Sequence, residues 1–300
     1  PPRSTPLYSS AASDVYKRQA HADEACATRQ IKQDLEIVDN LMEKLCLPII
    51  KAKRPVWDTF PGAWYTIGID AIMPNGRTLQ VASCHHYRDQ WAKAFDITYE
   101  NLEAKQQYCH QTTYGMSERL LGAVVGMHGD DAGLILPPSV SPYQVILMPV
   151  AAHINEEVLP KIKQITDDLR SAGLRVHLDD RDKRPGGKHY DWEIKGVPIR
   201  LEFGPRDLAE NKCVLSLRTG GKIEASLENL SETIFDNLAI ISEQLLERSS
   251  THMSDLVKKF PGIESTTDGW KLVSPIEDGI VYELAFDGND ADAEILEKTT

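Results

Sequence analysis

A proline-rich segment, LPPSVSPYQ at residues 136–144, separates two stretches of this 300-residue chain whose hydrophobic residues follow different patterns. Proline lacks a backbone N–H and has a fixed φ, so three prolines in nine residues are typical of a linker. Before the segment, some stretches have apolar residues at helical spacing, and others alternate apolar and polar residues as strands do. After it, short apolar runs alternate with amphipathic stretches. We therefore expect separate structural parts on the two sides of this segment.

The part before the linker predicts a long helix followed by antiparallel strands. Residues 22–47 have an apolar stripe with helical spacing, and Pro48 ends it. The alternating stretches 63–73 and 78–83 flank Pro74-Asn75-Gly76, which indicates a β-hairpin. The remaining predicted elements are a strand pair at 97–101 and 106–113 and a helix over 116–128. This pattern predicts an α+β fold.

The part after the linker predicts a sheet with helices packed on its faces. Its strands and helices alternate along the chain, as in α/β domains. The predicted elements are strands at 145–150, 174–180, 198–204 and 212–218, helices at 155–173 and 227–248, and a short helix at 189–195.

Composition and charge limit the possible classes of protein. Hydrophobic residues make up 41% of the chain, enough for a core, and no run of eighteen apolar residues predicts a membrane span. The net charge of −12 argues against a general binder of polyanions, although basic residues outnumber acidic ones within 181–222. Acidic residues dominate 246–300.

The cysteines indicate neither disulfides nor a zinc site. The chain has five, an odd number, without CxxC spacing, which is typical of reduced thiols. Cys84-His85-His86 could suggest a metal site, with Cys109-His110 nearby. Since neighbouring residues of a strand point to opposite faces, they cannot all bind one ion, and we expect His86 to be structural.

Residues 1–20 are predicted to be disordered and non-native. They are rich in Pro and Ser without an apolar period, and the stretch SSAASDVYKRQ resembles translated vector or adapter sequence. We therefore expect that the chain starts partway through a gene.

The segment YGMSERLLGAVVGMHGDDAGLILPP, from Tyr114 onward, carries the strongest chemical signal. Gly115 is expected to let a strand turn sharply into a helix, which would place Ser117 and Arg119 at the helix N-terminus. Such a terminus attracts anions, and an arginine there can stack on a purine. The alternative is a surface ion pair between Arg119 and Asp130 or Asp131.

Several collinear segments resemble class II aminoacyl-tRNA synthetases, specifically prolyl-tRNA synthetases of the archaeal/eukaryotic-like type. GMSERLLGAVVGMHGDDAGLILPP resembles their motif 3, and FPGAWYTIGIDAIMPNGRTLQVASCHHYRDQWAKAFDI resembles the segment between motifs 2 and 3. KRPGGKHYDWEIKGVPIRLEFGPRDL resembles the core of their anticodon-binding domain. The resemblance runs from about His21 to the C-terminus.

The resemblance implies a fold with three parts. These are an α+β class II catalytic-domain remnant (21–140), an α/β anticodon-binding domain (141–248) and a partial small α+β C-terminal domain (249–300). It also implies a proline–tRNA ligase, which uses ATP to convert L-proline to prolyl-adenylate and transfers it to tRNA(Pro).

By the same resemblance, four residues would bind ATP: Gln80, Ser83, Ser117 and Arg119. Gln80 would also contact Mg²⁺ through ATP, and Arg119 would lie on the adenine. His85 would face the proline substrate. An amide oxygen suits a hard cation, and arginine and hydroxyl groups suit a base or phosphate.

The anticodon-binding part implies contacts with single-stranded bases. Its candidates are Lys188, Trp192, Arg200 and Arg206. Basic side chains read base edges and aromatic ones stack. Gly187 and His189 stand where the family more often has aromatic residues, so the chain departs from the family's pattern for stacking. A solvated charged face is the alternative.

The remaining implications concern metals and partners. Asp287 and Asp292 stand where the family often has zinc-binding cysteines, so we expect no structural zinc. The expected cofactors are ATP and Mg²⁺. The expected partners are L-proline, tRNA(Pro) and a second copy in a homodimer, with neither membrane nor DNA. The expected location is the cytoplasm.

The sequence departs from the family at its front, because motifs 1 and 2 lie upstream of the segments that match. Motif 2 supplies an arginine for the α-phosphate, so we expect the chain as given to be weakly active or inactive. Two alternatives stay open: a non-catalytic tRNA-binding or regulatory module, and a synthetase of the same fold group for another amino acid (the threonyl, glycyl or histidyl type).

Overall fold

A computed structural model describes residues 15–149, 158–260, 262–266, 269–284, 288–289, 293–294 and 297. These residues divide into two compact units. The first lies within 1–42, 48–123 and 250–300, and the second consists of 43–47 and 124–249. No helix in the described ranges is both long enough and apolar enough to cross a membrane.

The first unit is built around a five-stranded antiparallel sheet. Its elements in chain order are β1 (Val15–His21), α1 (Glu24–Lys44), β2 (Ile50–Lys53), β3 (Tyr65–Ile72), β4 (Thr78–Arg88), α2 (Gln90–Ala94), β5 (Thr98–Glu100), β6 (Gln106–Tyr108) and β7 (His110–Met116). The strand order is β1-β7-β4-β3-β2, and β5 and β6 form a separate pair. The predicted hairpin is confirmed as β3 and β4, and the predicted second strand pair as β5 and β6.

Helix α1 covers one face of this sheet. Its buried apolar residues, Ala27, Ile31, Val38 and Met42, recur at helical spacing, and Thr28 contacts His86 of β4. Because side chains alternate along a strand, the α1 side carries Cys84 and His86, whereas Ser83 and His85 point away from the helix.

The expectation of disorder at 1–20 is wrong for its last part. Val15–His21 forms strand β1, which pairs with β7 in antiparallel register from Val15↔Met116 to His21↔His110. The stretch VYKRQAH has no regular apolar alternation, so only its backbone pairing at the sheet edge defines the strand. Residues 1–14 lie outside the described residues.

The expectation that the strand turns sharply into a helix at Gly115 is also wrong. Strand β7 continues through Met116, and Gly115 does not have a positive φ. A Cβ at Gly115 would lie 3.1 Å from the Tyr16 ring, so the glycine leaves room for that ring on the sheet.

The second unit is a mixed sheet with helices. Its elements are the second half of α3 (Arg119–His128), then β8 (Val145–Pro149), α4 (Val158–Ser171), β9 (Val176–Leu178), α5 (Pro185–Ile194), β10 (Ile199–Phe203), α6 (Pro205–Ala209), β11 (Lys212–Leu217), β12 (Lys222–Ser226) and most of α7 (Leu230–Leu256). In the order β12-β11-β10-β8-β9, the last three strands are parallel and β11 and β12 are antiparallel to their neighbours. This is the predicted α/β pattern.

The core of this unit lies between the sheet and helices α4 and α7. It contains Leu147, Leu201 and Leu215 from the sheet, with Ile162 and Ile234 from the helices. Apolar runs such as VILMP in β8 are buried along their length, which is typical of parallel strands covered on both faces.

The last helix is longer than predicted: α7 runs to Leu256, whereas the predicted end was at about residue 248. The sequence after Arg248 contains no Pro or Gly before Pro261. Ser249 is buried and donates a hydrogen bond to the carbonyl of Cys46 at 2.7 Å. This buried contact lies just beyond the predicted end of the helix.

The C-terminal strands form two short pairs within the first unit. They are β13 (Val257–Lys259), β14 (Ile263–Thr266), β15 (Gly269–Leu272) and β16 (Val281–Glu283). Strand β13 pairs with β16 and β14 pairs with β15. Asp287 and Asp292, on which the zinc argument rests, lie outside the described residues.

Candidate nucleotide and amino-acid site

The sheet face opposite α1 places Ser83 and His85 on one surface. Ser83 of β4 lies opposite Gly68 of β3 and Gly115 of β7. Since directly opposed residues of an antiparallel sheet point to the same face, these positions form one row across it. His85 belongs to the next row.

All four residues predicted to bind ATP line one cavity of about 300 Å³. Gln80 and Ser83 come from β4, and Ser117 and Arg119 come from the junction between β7 and α3. Tyr16 of β1, which the sequence reasoning did not include, lines the same cavity.

The junction residues have the geometry of a helix start. Helix α3 begins at Arg119, whose N–H lies 3.4 Å from Ser117 Oγ, and the Leu120 N–H donates to the Ser117 carbonyl at 3.1 Å. The alternative ion pair with Asp130 or Asp131 is not formed; the Asp130 carboxylate instead accepts two hydrogen bonds from Arg218, at 2.8 and 2.5 Å. Within the described part of the chain, the Arg119 guanidinium forms no ion pair.

His85 lines a second cavity of about 500 Å³. Its walls are largely aromatic, with Phe60, Tyr87 and Trp91 among them, and Gln111 and Thr113 contribute polar groups. The sequence reasoning missed these residues. The signal that could have found Tyr87 is its spacing, because it lies two residues after His85 on the same strand.

A chain of hydrogen bonds links the two cavities. His85 Nε2 lies 3.0 Å from Ser83 Oγ, and its Nδ1 lies 2.9 Å from Thr66 Oγ1. The Phe60 N–H donates to Thr66 Oγ1 at 3.1 Å. If Thr66 donates to Nδ1, then Nε2 carries the proton and donates to Ser83, which leaves the Ser83 hydroxyl proton for a ligand.

Burial lowers the pKa of His85 below its ordinary value, so the imidazole is neutral at neutral pH. A neutral ring can accept at one nitrogen and donate at the other, as this arrangement requires. His85 therefore suits a positioning role with a fixed tautomer.

Cys84 and His86 belong to the other face and are fully buried. Burial raises the pKa of the Cys84 thiol to about 12 and lowers the pKa of His86. In the ranges described, no three His, Cys, Asp or Glu side chains come together to hold a metal ion, and all five cysteines are free. The expected absence of zinc stays a prediction.

Two of the four predicted tRNA-binding side chains are buried, which leaves them little surface for contact with a base. Lys188 and Trp192 are each 5% exposed. The Trp192 Nε1–H donates to Asp179 Oδ2 at 2.7 Å, and Lys188 Nζ donates to the Asp179 carbonyl at 2.9 Å. A buried carboxylate needs hydrogen-bond donors of this kind. The charged sequence of the helix did not indicate that Lys188 and Trp192 would serve as those donors.

The other two candidates differ in exposure. Arg200 is largely buried, with its Nη1 3.8 Å from Glu193 Oε1, whereas Arg206 is exposed at the second position of α6. Of the four predicted tRNA-binding residues, Arg206 therefore has the most accessible side chain.

Two family models match this chain. The tRNA synthetase class II core domain (G, H, P, S and T) matches residues 15–128, and the anticodon binding domain matches residues 144–237. The first includes both cavities, and the second includes the mixed sheet.

Relatives with known names are proline–tRNA ligases. The Thermococcus kodakarensis enzyme is 48% identical over 247 residues, 82% of this chain and 51% of that protein. The Methanocorpusculum labreanum enzyme is 38% identical over 281 residues, 93% of this chain and 57% of that protein. The chain thus spans about half the length of the curated relatives it matches.

A solved structure is also similar to this chain in fold and sequence. Giardia lamblia prolyl-tRNA synthetase in complex with prolyl-adenylate superimposes with a TM-score of 0.77 at 31% identity, covering 81% of this chain and 54% of that chain. Both matched domains, their order and these relatives agree. The chain thus contains a class II tRNA synthetase core domain and an anticodon-binding domain, and the proteins that it is similar to are of the prolyl type.

Proposed function

We propose that the protein is a proline–tRNA ligase, which joins L-proline to ATP as prolyl-adenylate and transfers the prolyl group to tRNA(Pro). The observation that carries this proposal is the side-by-side position of the two cavities. Ser83 lines one and His85 lines the other, two residues apart on one strand face and hydrogen-bonded to each other. A nucleotide and an amino acid bound there would meet at these two residues.

The reaction needs orientation and charge neutralisation rather than a protein nucleophile. An oxygen of the proline carboxylate attacks the α-phosphorus of ATP, and pyrophosphate leaves. Arg119 would stack on the adenine, and Ser117 and Ser83 would hold phosphate or ribose oxygens. His85, neutral and fixed by Thr66, would border the proline ring in the aromatic cavity.

The residues present fit a magnesium ion that arrives with ATP. Gln80 offers one amide oxygen to the nucleotide cavity, and Mg²⁺ usually keeps waters and phosphate oxygens as its other ligands. When bound, the ion would neutralise phosphate charge. Gln80 would orient that complex from β4.

The second unit would bind the anticodon of tRNA(Pro), with exposed Arg206 as a contact. Basic residues outnumber acidic ones between 181 and 222, which supports binding to a polyanion despite the overall charge of −12. The resemblance adds that the protein forms a homodimer and acts in the cytoplasm, without contacts to membrane or DNA.

Proline-dependent exchange of pyrophosphate into ATP tests this function in the protein that contains this chain. We expect exchange with proline, and a loss of about tenfold in Arg119→Ala, since a guanidinium stacked on a base contributes about 0.5–2 kcal/mol. Wild-type exchange in Arg119→Ala would contradict the nucleotide role. No exchange with any amino acid, together with retained tRNA binding, would favour the regulatory module instead.

A further inference from the structure

Two glycines flank Ser83 in its row across the sheet, and each lies beneath a side chain from another strand or loop. The Tyr16 ring covers Gly115, and the Arg54 guanidinium covers Gly68. Ser83, which lines the nucleotide cavity, lies between them in register. The row therefore has an aromatic ring on one side of Ser83 and a cation on the other.

Arg54 lies flat against the sheet because Gly68 has no side chain. A Cβ at Gly68 would come within 2.4 Å of three guanidinium atoms. Cross-strand partners lie about 5 Å apart, so the guanidinium is close to the strand position of Ser83. An alanine at this position would displace the guanidinium from the sheet surface.

Asp70 fixes the orientation of Arg54. Nη2 donates to both carboxylate oxygens of Asp70 at 2.7 Å, and Nε lies 3.6 Å from Asp58 Oδ2. Nη1 donates no hydrogen bond to any residue in the described ranges, and the side chain is 22% exposed. The two N–H groups of Nη1 are thus unused within the described ranges, on a cation whose orientation Asp70 fixes.

We propose that Arg54 is a further nucleotide-binding residue, whose Nη1 donates to a phosphate oxygen of ATP bound over Ser83. This inference rests on the proposed function. An arginine already held by a carboxylate loses little conformational entropy on binding, and its planar group suits phosphate oxygens. Asp70 and the more distant Asp58 offset its charge, so Arg54 supplies directed donors rather than net attraction.

Binding of ATP and of adenosine by the purified chain tests this role. Arg54→Lys keeps the positive charge but removes the planar set of N–H donors. Gly68→Ala keeps every charged group but displaces the Arg54 guanidinium. We expect Arg54→Lys and Gly68→Ala each to weaken ATP binding about tenfold, the effect of one charge-assisted hydrogen bond, and to leave adenosine binding within about twofold.

Two matched controls are available. Arg88→Lys changes an arginine of the same sheet that stacks on Trp64 at 3.4 Å, and Gly122→Ala adds a methyl where nothing lies within 4 Å. Both should bind ATP as the wild type does. Circular dichroism confirms that each variant is folded.

Three outcomes would overturn the inference, and one of them would also reject the function. If the wild type binds ATP and both variants bind it equally well, Arg54 is not a phosphate ligand. Equal loss of ATP and adenosine binding would show a structural role. If the wild-type chain binds neither, the nucleotide site of the proposed function fails, and this inference with it.

Discussion

At the scale of single residues, the site depends on which side chains share a strand face. Ser83 and His85 alternate with Cys84 and His86, so the first pair faces the cavities and the second faces α1. The spacing alone predicted that the three residues 84–86 could not bind one ion. It could not predict that Thr66 holds the His85 ring, because that contact depends on the register between β3 and β4.

Replacing Asp179 should test the buried polar cluster of the second unit. Burial alone would raise the pKa of this carboxyl, yet hydrogen bonds from Arg181 and Trp192 outweigh it and hold the pKa below its ordinary value. We expect Asp179→Asn to lower the free energy of unfolding by about 2–3 kcal/mol, since it leaves buried donors without a charged acceptor. Urea unfolding measures this.

The neighbouring exposed residue provides the control. Asp180→Asn should change the free energy of unfolding by no more than about 0.5 kcal/mol. Equal effects of the two variants would show that the cluster around Asp179 contributes nothing specific.

His128 should make stability depend on pH. Burial lowers its pKa from the ordinary 6.5, although Nε2 lies 2.9 Å from the Leu45 carbonyl, which favours the charged form. The folded chain therefore resists protonation that the unfolded chain accepts, so stability is full above about pH 6.5 and is lost as pH falls below it.

The measurement compares wild type with His128→Gln, which keeps a donor for Leu45 without a titrating ring. Between about pH 7.5 and pH 5.5, the wild type should lose about 1 kcal/mol more free energy of unfolding than the variant. Equal losses in the two proteins would mean that His128 is not the titrating group.

At the scale of elements, the spacing of apolar residues predicted most helices and strands, because the residues buried in the fold are the apolar ones that recur with the helix or strand period. Helix α1 and the hairpin of β3 and β4 are examples. It failed at two elements: β1 lacks alternation, and α7 continues through the buried polar residue Ser249. It also failed for Trp192, because its hydrogen-bond partner Asp179 lies 13 residues earlier, outside the helix whose period was analysed.

The start of α1 offers a test of local capping. Asp23 Oδ1 accepts a hydrogen bond from the Cys26 N–H at 2.6 Å, which satisfies one of the free amides of the first turn. We expect Asp23→Ala to cost about 1 kcal/mol of unfolding free energy by chemical denaturation. Glu36→Ala, at an exposed position within the helix, should cost less than half of that; the reverse order would exclude a capping role.

At the scale of the whole molecule, the net charge of −12 conceals a locally basic segment, and two units with different sheets match two different domain models. The sequence predicted a boundary at the proline-rich linker, residues 136–144, whereas the two compact units divide between residues 123 and 124, within α3. Roles for individual residues came from the resemblance rather than from composition, and the structure adds which of them are accessible.

Binding of tRNA(Pro) by the whole chain should weaken as salt increases, because phosphate contacts release counterions. Arg206→Glu should weaken binding and reduce the slope of log affinity against log salt by about one unit. Lys105→Glu, at a 71%-exposed position in the first unit, should leave the slope unchanged. An unchanged slope in Arg206→Glu would remove this arginine from the interface.

The most direct test of the central claim is a crystal structure of the protein with a non-hydrolysable analogue of prolyl-adenylate. We predict that the adenine will lie against the Arg119 guanidinium and the prolyl ring in the aromatic cavity beside His85, with the linking group at Ser83. An adenine bound outside the cavity of Gln80, Ser83, Ser117 and Arg119, or a prolyl ring away from His85, would contradict it.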